Sequence, residues 1–340
     1  MKAAVFYGPG RFVVEERPEP EPRANQVLVR VEYAGICGTD LHHAEAPPYK
    51  VPPEGVIMGH EFSGQIAGVG SDVDSSRIGE NVVVLHLLPC YQCDSCQRGL
   101  MNLCLRPNEK VGLGTLPGGF AEYVAVEQTM AVPLGEFDAR AGSLVEPLAV
   151  AYHAVALSGI GEGDSALVTG CGPIGLLLLV VLRHMGAGPL IASEVSPYRR
   201  EEVRRIGVEH AFDPLEADLD EEVRGIVGPL GIGYAFECSG NPTAFRQALE
   251  LLRPAGTMMV VGFGDREVTI SARTIQATQL RVIGSRAYND YYDAALDLMS
   301  NGLDLPDIIS AERPLEDLER SIKELGSGSD LSKVVIRPSM

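Results

Sequence analysis

The feature that most constrains this chain is a change of periodicity near its middle. Ser165 to Thr169 is a short apolar run, Gly170-Cys171-Gly172-Pro173-Ile174-Gly175 comes at once after it, and a helical pattern continues to His184 or Met185. A second apolar run spans Leu190 to Glu194, and strand patterns recur at Tyr234 to Glu237, Met258 to Val261 and Leu280 to Ile283. Strands alternating with helices are joined by crossovers, so the expected fold class is α/β with a doubly wound parallel sheet. A lone G-x-G-x-x-G spacing is weak. Here it sits between a strand and a helix, where glycines let the backbone approach a pyrophosphate at a helix N-terminus. Gly170, Gly172, Pro173, Ile174 and Gly175 are therefore candidate dinucleotide contacts. Glu194 ends the next strand, 194 − 175 = 19 residues past the last glycine. A carboxylate there accepts hydrogen bonds from ribose hydroxyls and repels a 2′-phosphate, which favours NAD. Arg199 and Arg200 argue for NADP unless they are ordinary exposed helix arginines.

The other half reads differently. From residue 1 to about 150, short runs such as Val27 to Tyr33 and Glu122 to Val126 alternate apolar with polar, as half-buried strands do. Pro18 to Pro22 is an extended surface loop. With 340 residues and 45% hydrophobic content, two domains are expected. After Ser285 come two amphipathic helices, one from about Tyr291 to Ser300 and one with Pro314 in its first turn, ending before Gly326. A last strand, Lys333 to Arg337, has the texture of the first half. The formal net charge of −18 and the lack of a basic patch exclude a nucleic-acid partner. The longest apolar run, Leu176 to Leu182, is far short of the roughly 20 residues that span a bilayer. Gly8-Pro9-Gly10 cuts short the opening apolar segment, so no secretory leader is expected and a cytoplasmic location is.

Four of the seven cysteines, Cys90, Cys93, Cys96 and Cys104, are spaced 3, 3 and 8 apart. Thiolates so placed on one loop converge on a tetrahedral ion, and four of them close its shell, as in a structural zinc site. A ferredoxin-type run would put its fourth cysteine sooner and before a proline, whereas Leu105 comes next here. Disulfides would need an oxidising compartment. A second set is weaker taken alone. Cys37-Gly38-Thr39-Asp40-Leu41-His42 and Gly59-His60-Glu61 offer the sulfur, imidazole and carboxylate of a catalytic zinc, yet without further context satisfied core or surface groups explain them better. Glu146 lies in an apolar stretch where an unpaired carboxylate is costly. Cys171, Cys238 and His153 read as core.

Taken together, these residues resemble the zinc-dependent medium-chain alcohol dehydrogenases over essentially the whole chain. Gly118-Gly119-Phe120-Ala121-Glu122-Tyr123 resembles the family's G-G-x-A-E-Y strand, and Glu146-Pro147-Leu148 resembles the polyol branch of sorbitol, butanediol and threonine dehydrogenases. The resemblance implies a GroES-like β-barrel catalytic domain (1–150, with a return over 288–340) and a Rossmann NAD-binding domain (151–287). It implies two zinc ions per chain: a structural one on the four cysteines and a catalytic one on Cys37, His60 and Glu61 or Glu146. It implies hydride transfer between a secondary alcohol or ketone and NAD. Thr39 and His42 would carry the proton outward, Asp40 would orient His60, and Lys333 would meet the cofactor pyrophosphate. A homodimer or homotetramer joined near 281–287 is implied too. Substrate loops are expected near Tyr49 and Tyr288. Candidate substrates are polyols, vicinal diols, cyclitols and amino alcohols. Two other functions are open: a zinc-free NADPH quinone or enone reductase, whose relatives lack both ligand sets, and a non-catalytic dinucleotide sensor, which would bind cofactor without turnover.

Overall fold

The alternating segments of the first half do pair as antiparallel strands. The computed structural model describes residues 1–44, 52–105, 110–264, 266–289, 292–303, 305, 308–328 and 330–340. The chain divides into two compact units, residues 1–146 with 309–340, and residues 147–308. In chain order the first unit contains β1 (Lys2–Phe6), β2 (Phe12–Glu16), β3 (Gln26–Gly35), α1 (Gly38–Ala44), β4 (Glu61–Val69), β5 (Asn81–Val84), α2 (Asp94–Gln97), β6 (Tyr123–Glu127), β7 (Ala131–Pro133) and α3 (Ala139–Gly142). Helix α4 (Val145–Ser158) begins there and leads on.

The second unit continues with β8 (Ala166–Thr169), α5 (Pro173–His184), β9 (Leu190–Ser193), α6 (Pro197–Arg205), β10 (His210–Phe212) and α7 (Leu219–Val227). It is completed by β11 (Ile232–Glu237), α8 (Pro242–Glu250), β12 (Leu252–Val260), α9 (Ala272–Thr278), β13 (Arg281–Gly284) and α10 (Tyr292–Ser300). Its six strands are all parallel, in the order β10-β9-β8-β11-β12-β13. Successive strands therefore run outward to one side from β8 and then to the other from β11. The carboxyl ends of β8 and β11 flank the switch point, where open α/β sheets bind ligands. Strands β8 and β9 are buried along their whole length, as both-face-covered strands must be.

The return to the first unit starts at β14 (Ile309–Pro314), then α11 (Leu318–Gly326) and β15 (Lys333–Arg337). Pro314 thus closes a strand instead of opening a helix; a single 3₁₀ turn, Leu315–Asp317, separates it from α11. The crossing back comes at Ile309, later than the expected residue 288, because β14 is the first segment after β13 to pair into the first unit's sheet. That sheet has seven strands in the order β14-β15-β3-β4-β5-β7, with β6 also on β3. Its core is aliphatic and aromatic: Phe6, Val27, Val29, Val31, Phe62 and Phe120 have no exposed surface. Each such side chain contributes about 1.5–3 kcal/mol by leaving water. Strand register fixes the neighbours of the β3 end. Gly35 stands opposite Glu61 of β4 and opposite Val335 of β15, so the end of β3 is flanked by the start of β4 and the middle of β15. No helix among the described residues is long and apolar enough to cross a membrane.

Candidate active site

The cysteine lobe is built by one loop. Cys90, Cys93, Cys96 and Cys104 bring their sulfurs within 4.8 Å of one another, and none is in a disulfide. Cys90 Sγ and Cys96 Sγ are 4.0 Å apart, close to the edge of about 3.8 Å expected for sulfurs at 2.3 Å from a tetrahedral zinc. Backbone amides point at the sulfurs: Cys93 N–H donates to Cys90 Sγ and Cys90 N–H to Cys104 Sγ, both at 3.3 Å. Such bonds favour thiolates. Amides of Leu105 and Cys96 pull the Cys93 thiol down to about 6, while burial and neighbouring sulfurs push Cys96 up to about 12. Tyr91, at φ +54°, takes the left-handed conformation that turns the loop between the first two cysteines. The lobe fits a closed four-sulfur zinc site.

The second cluster is built by register. Cys37 lies two residues past the end of β3, His60 immediately precedes β4 and Glu61 opens it, so pairing of β3 with β4 carries them together. Cys37, His60 and Glu61 offer donor atoms within 4.8 Å of one another. Asp40, in the first turn of α1, serves two of them. Its Oδ2 accepts from the Cys37 amide at 2.9 Å, and its Oδ1 lies 3.6 Å from His60 Nδ1. His60, Asp40 and Glu61 are all buried. Burial lowers the basicity of His60, but Asp40 and Cys37 outweigh it and hold the imidazole well above its usual value. Burial, reinforced by Glu61, pushes the Cys37 thiol up. Crowded, dry donors of sulfur, nitrogen and oxygen type suit a borderline-soft divalent ion. Thr39 Oγ1 is 3.7 Å from Cys37 Sγ, and His42 stands in the last turn of α1.

Four placements differ from expectation or lay outside it. Lys333 does not stand in solvent. It is a fully buried β15 residue whose Nζ donates to Glu61 Oε2 and, at 3.0 Å, to the Ile36 carbonyl. Alternation along β15 turns it inward, and a buried ammonium needs the carboxylate it finds there. Glu146, in the first turn of α4, is not in the three-donor set; its Oε1 is 3.3 Å from Nδ1 of His86. Burial works to raise the Glu146 carboxyl, but the His86 hydrogen bond and nearby positive charges bring it below the ordinary value. His86 itself was not singled out from the sequence. It comes just after the buried strand β5, and a polar residue at the end of such a run was the available signal. Gly35 was missed too. A Cβ there would lie 2.6 Å from Glu61 Oε2 and 2.8 Å from Lys333 Cε, so the pair closes over a position with no side chain.

In the second unit the glycine turn joins β8 to α5. Gly170 has φ +81°, and a Cβ on Gly175 would meet the Gly170 carbonyl at 2.1 Å, so both are required by the tight turn. Gly172 caps α5 with open space before it, and Pro173 and Ile174 form the first turn. Glu194 is buried at the carboxyl end of β9; Oε2 accepts from the Cys171 amide at 2.7 Å and Oε1 from the Ser196 amide at 2.9 Å. Arg200 is consumed structurally by the Glu194 and Val195 carbonyls and by Asp213. Arg199 Nε is buried and meets no hydrogen-bond partner among the described residues. Cys171 and His153 are buried. Tyr288 is buried against Tyr292, with ring centroids 4.7 Å apart, and Tyr49 lies outside the described residues.

Comparison with known proteins agrees with both halves. Residues 23–136 match the alcohol dehydrogenase GroES-like domain, and residues 173–301 match the zinc-binding dehydrogenase domain. A sorbitol dehydrogenase from Halalkalibacterium halodurans is 34% identical over 350 residues, covering 99% of each chain. An (R,R)-butanediol dehydrogenase from Neisseria gonorrhoeae is 32% identical over 356 residues, covering 100% of each. The crystal structure of a putative zinc-binding dehydrogenase from Sinorhizobium meliloti, bound to NADP, superposes with a TM-score of 0.91 at 31% identity and 99% coverage of each chain.

Proposed function

The chain belongs to the zinc-binding alcohol dehydrogenase family with a GroES-like domain, and from that premise we propose a zinc- and NAD-dependent dehydrogenase of secondary alcohols. It is an oxidoreductase acting on the CH–OH group of alcohols and polyols. The observation that carries the metal assignment is the convergence of Cys37, His60 and Glu61 from two strand ends onto one point. Zinc held there supplies a Lewis acid that makes an alcohol oxygen acidic near neutral pH, and the nicotinamide ring supplies the hydride acceptor. The chain does the rest. Asp40 fixes the His60 ring and the Cys37 backbone together. Thr39, beside the Cys37 sulfur, would hold the hydroxyl proton, and His42, in the last turn of α1, would pass it outward. The four cysteines would hold a second zinc that ties down their loop, and four sulfur donors would leave no position for substrate.

The buried Glu194 carboxylate supports NAD, since it would repel a 2′-phosphate. The buried, unpartnered Nε of Arg199 favours NADP as the second reading. Polyols, vicinal diols, cyclitols and amino alcohols are the proposed substrates. The exposed outer strand β13, with Val282 38% accessible, supports a homo-oligomer through strand pairing. Seven free cysteines suit a reducing compartment such as the cytoplasm. The test is a screen of these alcohols for NADH and NADPH formation, with native protein and Glu194→Ala. Native protein should prefer NAD, and the variant should narrow that preference by about tenfold, the worth of a charged hydrogen bond. Better native turnover with NADP would assign the adenosine pocket to Arg199. Cofactor binding without turnover on any alcohol would restore the sensor reading.

A further inference from the structure

Two carboxylate–imidazole pairs stand side by side in the first unit. Asp40 Oδ1 faces His60 Nδ1 at 3.6 Å, and Glu146 Oε1 faces His86 Nδ1 at 3.3 Å. The rings of His60 and His86 meet edge to face, 5.3 Å apart and inclined at 72°, and all four side chains are buried. In the first pair the imidazole belongs to the donor set and the carboxylate orients it. In the second the roles are exchanged: the carboxylate is the potential donor, and the imidazole is placed to orient it.

We propose that His86 is a positioning residue that holds the Glu146 carboxylate apart from Cys37, His60 and Glu61, leaving Glu61 as the third protein donor and one coordination position open. The proposal rests on the metal-centre reading of that cluster and deepens it. His86 is anchored for the task. It stands just past β5, its carbonyl accepts from the Val111 amide at 3.0 Å, and Leu87 bridges Lys110. The packed His60 ring restricts rotation of its own ring, and its Nδ1 is aimed at Glu146. Glu146 starts from the first turn of α4, immediately before Pro147, so its backbone is fixed as well. A carboxylate held by this N–H is kept from a nearby cation. Were Glu146 released, a thiolate, an imidazole and two carboxylates would close a four-donor shell, and closed shells hold structure where open ones do chemistry.

The experiment uses full-length protein with cobalt(II) in place of zinc, read by its visible bands and titrated with azide as a probe of the open position. Native protein should take up two cobalt ions per chain and bind azide at the mixed-donor ion. His86→Phe keeps a ring beside His60 but loses the N–H donor. Its azide affinity should fall by at least about tenfold as Glu146 enters the shell. Adding Glu146→Gln to that variant should restore azide binding. His86→Gln keeps an N–H within reach and should titrate as native does, which preserves the test if the Phe variant does not fold. Loss of azide binding in His86→Gln as well would assign the effect to bulk and overturn the proposal. So would a two-cobalt His86→Phe protein that titrates as native does, or a native cobalt spectrum altered by Glu146→Gln alone. Native protein that takes up a single cobalt would overturn the metal-centre reading itself, and this inference with it.

Discussion

The two candidate metal sites of the first unit are assembled in opposite ways. All four sulfurs of the cysteine lobe come from residues 90 to 104, and the same loop's amides point at them. The mixed site takes Cys37 from just past the end of β3, His60 from just before β4, Glu61 from its first residue, and Lys333 from β15. His86 and Glu146 stand beside it. A loop-built site needs only its loop, so its donors can be numerous and alike. A site built by strand register is held by the whole sheet, which lets its donors be few, unlike and dry. That difference is why we propose that the first holds structure and the second does chemistry.

Removing one donor from each site tests the contrast most severely. Cys37→Ser should lower turnover by at least about a thousandfold, because a metal ion is asked for several kcal/mol of transition-state stabilisation. Its melting temperature should stay near native, since the sheet does not depend on that sulfur. Cys93→Ser should do the reverse at first, releasing one zinc and exposing residues 90–104 to protease. Metal analysis should find two zinc ions in native protein and one in each variant. A Cys37→Ser protein that retains activity would end the distinction. A smaller effect is expected at Asp40, which touches no substrate but joins two donors. Asp40→Asn should weaken the mixed-site ion about 10- to 100-fold and leave the four-cysteine ion unchanged, as competition with a graded chelator would read.

The contrast also explains what could be read from the sequence. Spacing alone pointed to the cysteine lobe, because its geometry is local. The glycine turn was legible for the same reason: a strand, Gly170 to Gly175 and a helix are contiguous in the chain. Resemblance, not spacing, brought Cys37 to His60, since only the pairing of Gly35 with Glu61 does so physically. For Lys333, resemblance implies a cofactor contact and a bare strand pattern allows a solvated residue, because a lone basic residue on a strand gives no sign of which face it occupies. Alternation settles that only once β15 is seen between β14 and β3. Strand β14 was hidden by Pro314, whose fixed φ suits a helix start and a strand end alike. His86 was hidden because its partner, Glu146, is distant in the chain.

Gly35 offers the mildest and most specific test of a register-built site. It supplies no donor to either ion, and at the close of β3 it faces Glu61 on one side, with Lys333 folded over it. A methyl group at this position would press on the ends of two buried side chains, not on backbone, so the pair must shift while the strands hold. Gly35→Ala should therefore cost about 1–2 kcal/mol of stability, the low end of overpacking a core. The displaced carboxylate belongs to the mixed donor set, so affinity for that ion should fall while the four-cysteine ion is retained. Equal loss of both ions would mean that the sheet itself had yielded. An unchanged mixed-site affinity would mean that Glu61 is not a donor and that the cation is held by other groups. Lys333→Met separates these outcomes. It removes the ammonium that competes for Glu61, so it should tighten the mixed-site ion if Glu61 binds it, and leave that ion unaffected if Glu61 does not.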